Sequence, residues 1–150
     1  MMTATGKLQA LDISRNGVPI TVLNQHSAAF TLDGQSYKVR PSGTFVSSYE
    51  LHRGDEMLAF AKGEPFVNRM TVTYGDKSWL LKPENFRASR YGLYDGATRL
   101  GGITPGGWLG GWLRPWDGAT IDMPDALPLD GQLFLTSIVL FKWGEQASST

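Results

Sequence analysis

The sequence predicts a mainly β domain, a closed antiparallel barrel of about ten to twelve short strands that encloses a hydrophobic C-terminal helix. Three observations lead to this expectation. Short segments rich in Val, Thr, Tyr, Phe and Trp alternate with turn pairs such as Asp33-Gly34. An apolar stretch near the C-terminus carries the end signals of a helix. A helix that is apolar on nearly all sides has to be surrounded by protein.

Length and composition favour one soluble domain, residues 1–150. Hydrophobic residues make up 41% and charged residues 19%, so the chain is expected to fold. Its 14 basic and 14 acidic residues cancel, which argues against nucleic acid as a partner. The absence of Cys excludes a disulfide scaffold, a thiolate zinc site and a cysteine nucleophile. No apolar run follows the N-terminal "MMTATGKLQALDI", so we expect a cytoplasmic location.

The predicted strands lie on either side of turn signals. The first is "VPITVL", residues 18–23, and hairpins then follow around Asp33-Gly34, Gly54-Asp55, Gly75-Asp76 and Asp95-Gly96. Asp117-Gly118 has the same turn-forming composition. The further strands are "SAAFTL", "QSYKVR", "TFVSSYELHR", "EMLAFAK", "NRMTVTY", "KSWLLKP", "RYGLY" and "TRLGGI".

The last apolar stretch, "LPLDGQLFLTSIVLFKWGE", is predicted to be a buried helix over about 128–143, followed by a polar tail at 145–150. Pro128 suits the first helical position, Asp130 the first turn, Lys142 the last turn and Gly144 the C-terminal cap. A helix of this length spans about 24 Å, which is short for a bilayer core of about 30 Å. A membrane-inserted or interfacial helix and a strand remain alternatives.

Two stretches, "RYGLYDGATRLGGI" and "IDMPDALPLDGQLFLTSIVLFKW", resemble the hairpin and the turn into the central helix of the tubby C-terminal-like superfamily. That group holds tubby domains, phospholipid scramblases and plant LURP-one-related proteins, and this chain looks like a small, bacterial-type member. The resemblance covers about the last 60 residues by motif and the remainder by the order of elements. It implies a barrel around a central helix and makes phosphoinositide binding, as in tubby, the activity to test.

The chain also departs from these families. It is short for a tubby or scramblase domain, and it has no Cys cluster of the kind that scramblases use for lipid attachment. Its acidic stretch does not match a scramblase calcium segment. Lipid scrambling is therefore not an expected activity.

The segment "GGWLGGWLRPW" places Trp108, Trp112 and Trp116 at intervals of four residues. Its Gly and Pro residues argue against a helix, and on one strand this even spacing puts the three indoles on one face. They are candidate ligand-binding residues, because Trp suits a boundary between water and apolar surroundings. The alternative is that the glycines bend the strand while the indoles fill the core.

Basic residues in the middle of the chain are the candidate anion-binding residues. They are Arg69, Lys82, Arg87 and Arg90, of which the last three lie close together in "KPENFRASR". Arg binds phosphate bidentately and Lys contacts it as a point charge. The alternative is that these charges protect the edge of a strand from association.

Other candidate chemistry is sparse. Glu50 and His52 share one face of a predicted strand, as a base and its orienting group would, but no nucleophile or phosphate-loop motif accompanies them. The acidic residues near the helix do not have calcium-loop spacing, and turn and cap roles explain each of them. They are Asp117, Asp122, Asp125 and Asp130. We expect no catalytic residue, no metal and no cofactor.

The expected function is therefore that of a non-enzymatic binding module. The first candidate partner is an anionic membrane lipid, bound through phospholipid or phosphoinositide headgroups, with the protein in the cytoplasm or at the membrane periphery. The alternative is a protein–protein interaction or structural module that uses the Gly/Trp-rich segment 106–118.

Overall fold

A computed structural model describes residues 2–7, 10–24, 28–42, 47–64, 67–84, 90–109 and 112–148. At 5–7, 10–11, 24, 67, 106–109, 112–118 and 144–148 the description covers the backbone alone. The described residues form twelve strands and one helix. The strands are β1 (Met2–Lys7), β2 (Ala10–Arg15), β3 (Val18–Asn24), β4 (Ala29–Leu32), β5 (Gln35–Ser42), β6 (Ser48–Arg53), β7 (Glu56–Glu64), β8 (Val67–Tyr74), β9 (Lys77–Pro83), β10 (Tyr91–Asp95), β11 (Thr98–Leu109) and β12 (Trp112–Asp122), and the helix is α1 (Leu129–Ser148).

Each strand pairs antiparallel with the next one in the chain, and β1 pairs with β12, so that the sheet closes into a barrel. Small barrels of about eight strands are filled by side chains alone, whereas twelve strands leave room for a helix inside. The predicted fold class, an antiparallel barrel with the C-terminal helix packed against the sheet, is confirmed.

The two ends of the barrel differ in their connections. Two-residue turns at 16–17, 33–34, 54–55, 75–76 and 96–97 lie at one end, together with the connector 123–128 that leads into α1; we call this the turn end. The other end carries the hairpin between β11 and β12 at 110–111, and we call it the ribbon end. Because α1 begins at the turn end, it runs through the barrel towards the ribbon end.

Three strands, β1, β2 and β12, and one turn were not predicted correctly. β1 and β2 precede the first expected strand, and the signal for β2 was Asn16-Gly17, whose φ values of 52° and 82° suit the hairpin turn into β3. Asp117-Gly118, expected to be a turn, lies inside β12. The register of β12 against β11 shifts between Pro105, which pairs with Ala119, and Gly107, which pairs with Arg114. Gly118 therefore lies within a strand irregularity rather than in a turn between strands.

The helix lies inside the barrel, which confirms the interpretation of the last apolar stretch as a buried helix. Every residue from Asp130 to Leu140 is buried, and these three turns leave no exposed face. Phe141 stacks on Tyr49 of β6 with ring centroids 5.7 Å apart. In the described part of the chain, no helix combines the length and apolarity that crossing a bilayer requires.

Polar side chains on the buried helix have partners close by. The Thr136 hydroxyl donates to the Gln132 carbonyl at 2.8 Å, and the Ser137 hydroxyl donates to the Leu133 carbonyl at 2.9 Å. Both are bonds to the carbonyl four residues earlier, so neither hydroxyl enters the barrel core without a partner.

The ends of the helix differ from the expected ones. The backbone N–H of Gln132 donates to the Pro128 carbonyl at 3.0 Å, so Pro128 lies at the cap and α1 begins at Leu129. At the other end α1 continues through Gly144 to Ser148, which places Lys142 before the last turn and makes most of the expected tail helical. A helical Gly costs only about 1 kcal/mol, and Glu145 and Gln146 after it are good helix formers.

Gly131 has a packing role in the first turn of α1. A Cβ atom at this position would lie 2.7 Å from Leu127 Cδ1 and 3.1 Å from Tyr74 Cδ2. The absence of a side chain therefore lets the start of the helix approach β8 and the connector closely.

The barrel closes least completely between β3 and β4. The register pair between them in the described residues is Asn24 with Ala29, at the ribbon end. Outward-facing Val18 and Val22 of β3 are 64% and 50% exposed. The other neighbouring strands pair over three or more residues, so this seam depends least on backbone hydrogen bonds.

Candidate functional site

The hairpin of β11 and β12 projects beyond its neighbours at the ribbon end. β10 pairs with β11 only up to Ile103, and β1 pairs with β12 only from Ala119 to Ile121, in the described residues. Beyond these points, Gly107 to Leu109 pair with Trp112 to Arg114 and with no other residue that the structure describes. We call this projecting part of the hairpin, residues 106–118, the ribbon.

The ribbon corrects the expectation of a single strand. Trp108 belongs to β11, whereas Trp112 and Trp116 belong to β12, and the chain reverses between them. The cross-strand partner of Trp108 is Leu113, and that of Trp112 is Leu109. The three tryptophans therefore do not lie at even spacing along one strand. The structure describes the backbone of this segment and not its side chains.

The predicted basic residues lie on neighbouring strands. Arg69 is on β8, Lys82 is on β9 and Arg90 immediately precedes β10, while Arg87 lies outside the described residues. Met70 pairs with Leu81, and Arg69 and Lys82 are the next positions on these two strands towards the ribbon end. Because Met70 and Leu81 are buried and successive side chains of a strand alternate between its faces, Arg69 and Lys82 face outward. The structure thus brings Arg69, Lys82 and Arg90 to one side of the barrel, near the ribbon end.

Lys82 and Arg69 already have partners on this surface. The Lys82 Nζ lies 4.3 Å from the centroid of the Tyr94 ring, a cation–π contact. Arg69 forms a two-pronged ion pair with Glu64 of β7, with Nη2 and Oε1 3.2 Å apart. Because both members of that pair are partly exposed, its net contribution to stability is small.

Glu84 organises the surface next to Lys82. Its carboxylate accepts hydrogen bonds from Arg99 Nε at 2.8 Å, from Arg99 Nη2 at 2.9 Å and from the Tyr94 hydroxyl. The hydrogen bonds from Arg99, with a smaller contribution from Tyr94, lower the pKa of Glu84, and the bond to Glu84 raises the pKa of Tyr94. The backbone N–H of Glu84 also donates to the Arg90 carbonyl at 2.8 Å, which draws Arg90 back towards β9.

Two glycines make this arrangement possible. A Cβ at Gly92 would lie 2.6 Å from the Glu84 carboxyl carbon, and a Cβ at Gly102 would overlap the Arg99 guanidinium. Both charged side chains therefore lie flat on the outer wall of the sheet. Sequence reasoning missed this cluster, although the glycines in "RYGLY" and "LGGI" are the signal of a close approach to a strand.

Lys62 is a further basic residue that sequence reasoning missed. It is exposed on β7 and pairs with Thr71 of β8, next to the strand position of Arg69. Among the described residues, β7 to β10 near the ribbon end carry four basic residues and two acidic ones. They are Lys62, Arg69, Lys82, Arg90, Glu64 and Glu84.

The turn end has the opposite charge. Within the described turns, their flanking residues and the connector, seven acidic residues accompany three basic ones. They are Asp33, Asp55, Glu56, Asp76, Asp95, Asp122 and Asp125, with Arg15, Arg53 and Lys77. The barrel as a whole is neutral by sequence, so its charges are separated along its axis.

Glu50 and His52 do share one face of β6, and His52 Nε2 lies 2.7 Å from Glu50 Oε1. The pair is on the outer wall, where His52 pairs across the sheet with Lys38 and Glu50 with Phe60. Asp122, Asp125 and Asp130 are separated: the first ends β12, the second lies in the connector and the third is buried under Tyr74. No group of three or more His, Asp or Glu residues within the described ranges is arranged to hold a metal ion.

Comparison with known proteins gave no match: no protein-family model, no curated protein and no solved structure matched the chain. The resemblance to the tubby C-terminal-like superfamily therefore stays a prediction. What the fold does establish is a barrel with a projecting ribbon and a basic wall at one end and acidic turns at the other.

Proposed function

We propose that the protein is a non-enzymatic binding module that associates with anionic phospholipid surfaces through its ribbon end. One observation carries the proposal: the topology brings the tryptophan-bearing ribbon and the basic residues of β8 to β10 to the same end of the barrel. Peripheral membrane proteins combine these two features, since indoles favour the interfacial region and basic residues are attracted to anionic headgroups.

The strand positions make the two features complementary. The described ribbon strands pair with each other past the points where β10 and β1 stop pairing with them, so the ribbon extends beyond the paired wall of the barrel. Lys82 and Arg90 lie on the wall behind it, where they would face phosphate groups at the surface. Because Arg69 is held by Glu64, we assign it a smaller share of the attraction than Lys82.

The resemblance to tubby domains is a second, independent reason to include phosphoinositides among the test lipids. Phosphoinositide headgroups carry several phosphates, which Lys and Arg side chains recognise by charge and by bidentate hydrogen bonds.

The experiment is sedimentation with vesicles of phosphatidylcholine alone, with phosphatidylserine and with a phosphoinositide, each at low and at physiological salt. We expect binding to the anionic vesicles only, and weaker binding as salt is added. Replacing Arg69, Lys82 and Arg90 together with Gln should weaken it by up to about two orders of magnitude, at about 1 kcal/mol for each basic residue.

The matched control removes the same number of charges from the other end. Arg15, Arg53 and Lys77 at the turn end are replaced with Gln, which changes the net charge equally. If both triple variants lose binding to the same extent, the attraction comes from total charge and the ribbon end is not the binding surface. If the wild-type protein ignores phosphoinositide vesicles even at low salt, the proposal is wrong.

A second candidate function is protein–protein interaction through the ribbon. The observation that favours it is that the described ribbon strands pair with each other alone, which leaves their outer edges available for a partner's strand. Such an association would tolerate salt and would depend on the indoles rather than on Lys82 and Arg90. Replacing Trp112 with Ala and measuring association at high salt separates the two functions.

A further inference from the structure

The outer wall of β9 to β11 carries a bare strip of backbone where glycines of two strands are neighbours. Gly92 of β10 pairs with Gly102 of β11, and Lys82 of β9 is the partner of Gly92 on its other side. Glycine inside a strand is destabilising, because its backbone loses more freedom on folding than that of other residues. The ion pair of Glu84 and Arg99 lies on this strip, and a half-exposed pair stabilises a fold only slightly. Stability alone therefore does not account for two glycines side by side.

Arg99 is oriented by Glu84 and keeps other donors of its guanidinium group unused. Its Nε and Nη2 donate to the Glu84 carboxylate at 2.8 Å and 2.9 Å. A guanidinium group has five N–H donors, and those on Nη1 have no acceptor among the residues that the structure describes. The Arg99 side chain is 50% exposed and that of Glu84 is 15% exposed, so the carboxylate is the covered member of the pair. The end of the guanidinium, formed by Nη1 and the second N–H of Nη2, is therefore a donor pair for a solute.

Tyr94 holds a second cation beside the first. Its hydroxyl donates to Glu84, and the centroid of its ring lies 4.3 Å from the Lys82 Nζ. The register shift after Leu93 makes Arg99 the cross-strand partner of Tyr94, so these two side chains share the outer face. No hydrogen bond or ion pair joins Lys82 to a residue within the described ranges. Two cations with N–H donors therefore lie next to one tyrosine.

The charge of this cluster favours an anion. Lys82 and Arg99 carry two positive charges against the single negative charge of Glu84. The hydrogen bonds from Arg99 lower the pKa of Glu84, and Arg90 is close enough to contribute to the same shift. The carboxylate therefore stays ionised at neutral pH and continues to orient Arg99.

The number of donors determines the class of anion. The end of the Arg99 guanidinium offers two parallel N–H groups, which match two oxygens of one anion, and the Lys82 ammonium offers a point contact for a third. A phosphate monoester has three terminal oxygens and about two negative charges at neutral pH. A phosphate diester or a carboxylate has only two such oxygens and a single charge, so it would leave one of the two cations without a partner.

We propose that this surface, the Lys82–Arg99 site, binds dianionic phosphate monoesters, with Glu84 and Tyr94 as positioning residues. Two phosphate oxygens accept from the end of the Arg99 guanidinium, and the third accepts from the Lys82 ammonium. Glu84 holds the guanidinium in place, and Tyr94 holds both Glu84 and Lys82. Because Lys82 is shared, this site rests on the proposed function, to which it adds Arg99 and a preference for monoesters over diesters such as phosphatidylserine.

The first experiment needs no membrane. The full chain is titrated with phenyl phosphate by NMR or calorimetry at constant ionic strength and slightly alkaline pH, where the monoester carries two charges. Methyl phenyl phosphate and benzoate are the comparison ligands with two terminal oxygens. We expect saturable binding of phenyl phosphate and at least about tenfold weaker binding of the other two. The absence of saturable phenyl phosphate binding, or equal binding of all three ligands, would overturn the proposal.

Arg99→Lys keeps the positive charge and removes the pair of parallel donors. Its matched control is Arg53→Lys, because Arg53 is likewise paired with a glutamate, Glu56, but at the turn end. Arg99→Lys should weaken phenyl phosphate binding about tenfold, while Arg53→Lys should leave it unchanged. Equal losses in the two variants would mean that the site is wrongly assigned. Melting curves of both variants show whether the fold is retained.

Glu84→Gln separates positioning from attraction by charge. If charge alone attracted the ligand, the loss of a carboxylate beside two cations would strengthen binding. If Glu84 holds Arg99 in place, the same change weakens phenyl phosphate binding several-fold, and this is the result that we expect. Stronger binding by Glu84→Gln would contradict the positioning role.

Vesicles distinguish a lipid headgroup from a soluble ester as the source of the phosphate. They contain phosphatidylcholine with either phosphatidic acid, which is a monoester, or phosphatidylserine, at equal surface charge. We expect stronger sedimentation with phosphatidic acid, and Arg99→Lys should remove this preference. If phenyl phosphate binds and neither vesicle does, the ligand is a soluble ester, the site stands and the lipid-binding function is wrong. If the wild-type protein binds both vesicles equally and ignores phenyl phosphate, lipid binding stands and the Lys82–Arg99 site is wrong.

Discussion

Replacing Val139 with Asp tests whether α1 is enclosed on all sides. Val139 is fully buried in the middle of the helix. The substitution removes about 1.5–3 kcal/mol of apolar burial and adds a buried carboxyl group that costs several kcal/mol more. Since the total stability of a domain is about 5–15 kcal/mol, we expect the variant to lose its cooperative melting transition at neutral pH.

The controls fix the interpretation. Val18→Asp makes the same chemical change at a position that is 64% exposed and should alter stability by less than about 0.5 kcal/mol. Val139→Ala, which removes two carbons without adding charge, should cost about 2–3 kcal/mol and lower the melting temperature by about 5–10 °C. Thermal melting followed by circular dichroism measures all three.

The pH dependence of Val139→Asp provides a second readout. Burial would raise the pKa of the new carboxyl group in the folded state, so the folded state would bind more protons than the unfolded state. The variant should therefore recover stability as the pH is lowered towards the ordinary pKa of an aspartate. A Val139→Asp protein that melts at the same temperature as Val18→Asp at neutral pH would refute the enclosed helix.

Three more outcomes are expected from particular contacts. Tyr74→Phe removes the hydroxyl that donates to buried Asp130 and should lower stability by about 2 kcal/mol in thermal melting, whereas Tyr94→Phe, whose partner Glu84 keeps its two hydrogen bonds from Arg99, should cost less. Because hydrogen bonds from Arg99 lower the pKa of Glu84, the ionised carboxylate stabilises the folded state above the ordinary pKa of a glutamate, and this stabilisation is lost as the pH falls through the lowered pKa. Acid unfolding of Glu84→Gln should lack this dependence on pH. Amide hydrogen exchange should be faster in β3 and β4, which share the register pair Asn24–Ala29, than in β7 and β8, and equal protection would argue for a fully paired seam.

The parts of the fold that sequence could predict depend on local chemistry. Turn pairs such as Asp33-Gly34 and Gly75-Asp76 predicted the hairpins correctly. A tight turn needs only two residues, and the glycine of each pair adopts the positive φ that such a turn requires. The helix followed from the apolar run with Pro128 and Asp130 at its start. Its end was predicted too early, since Gly144 can cap a helix or lie within it, and only packing decides between the two.

The candidate sites depend on contacts between residues far apart in sequence, and these are the parts that could not be predicted. Glu84 meets Tyr94 and Arg99 across two strands, and the register that aligns them includes a shift between Leu93 and Tyr94.

The separation of charge along the barrel bears on how the protein would orient at an anionic surface. The chain is neutral by sequence, so attraction to an anionic surface depends on orientation rather than on net charge. With the basic wall of β8 to β10 towards the membrane, the acidic turn end points to solution, several turns of α1 away. Repulsion between that end and the surface reinforces this orientation within a Debye length of about 10 Å.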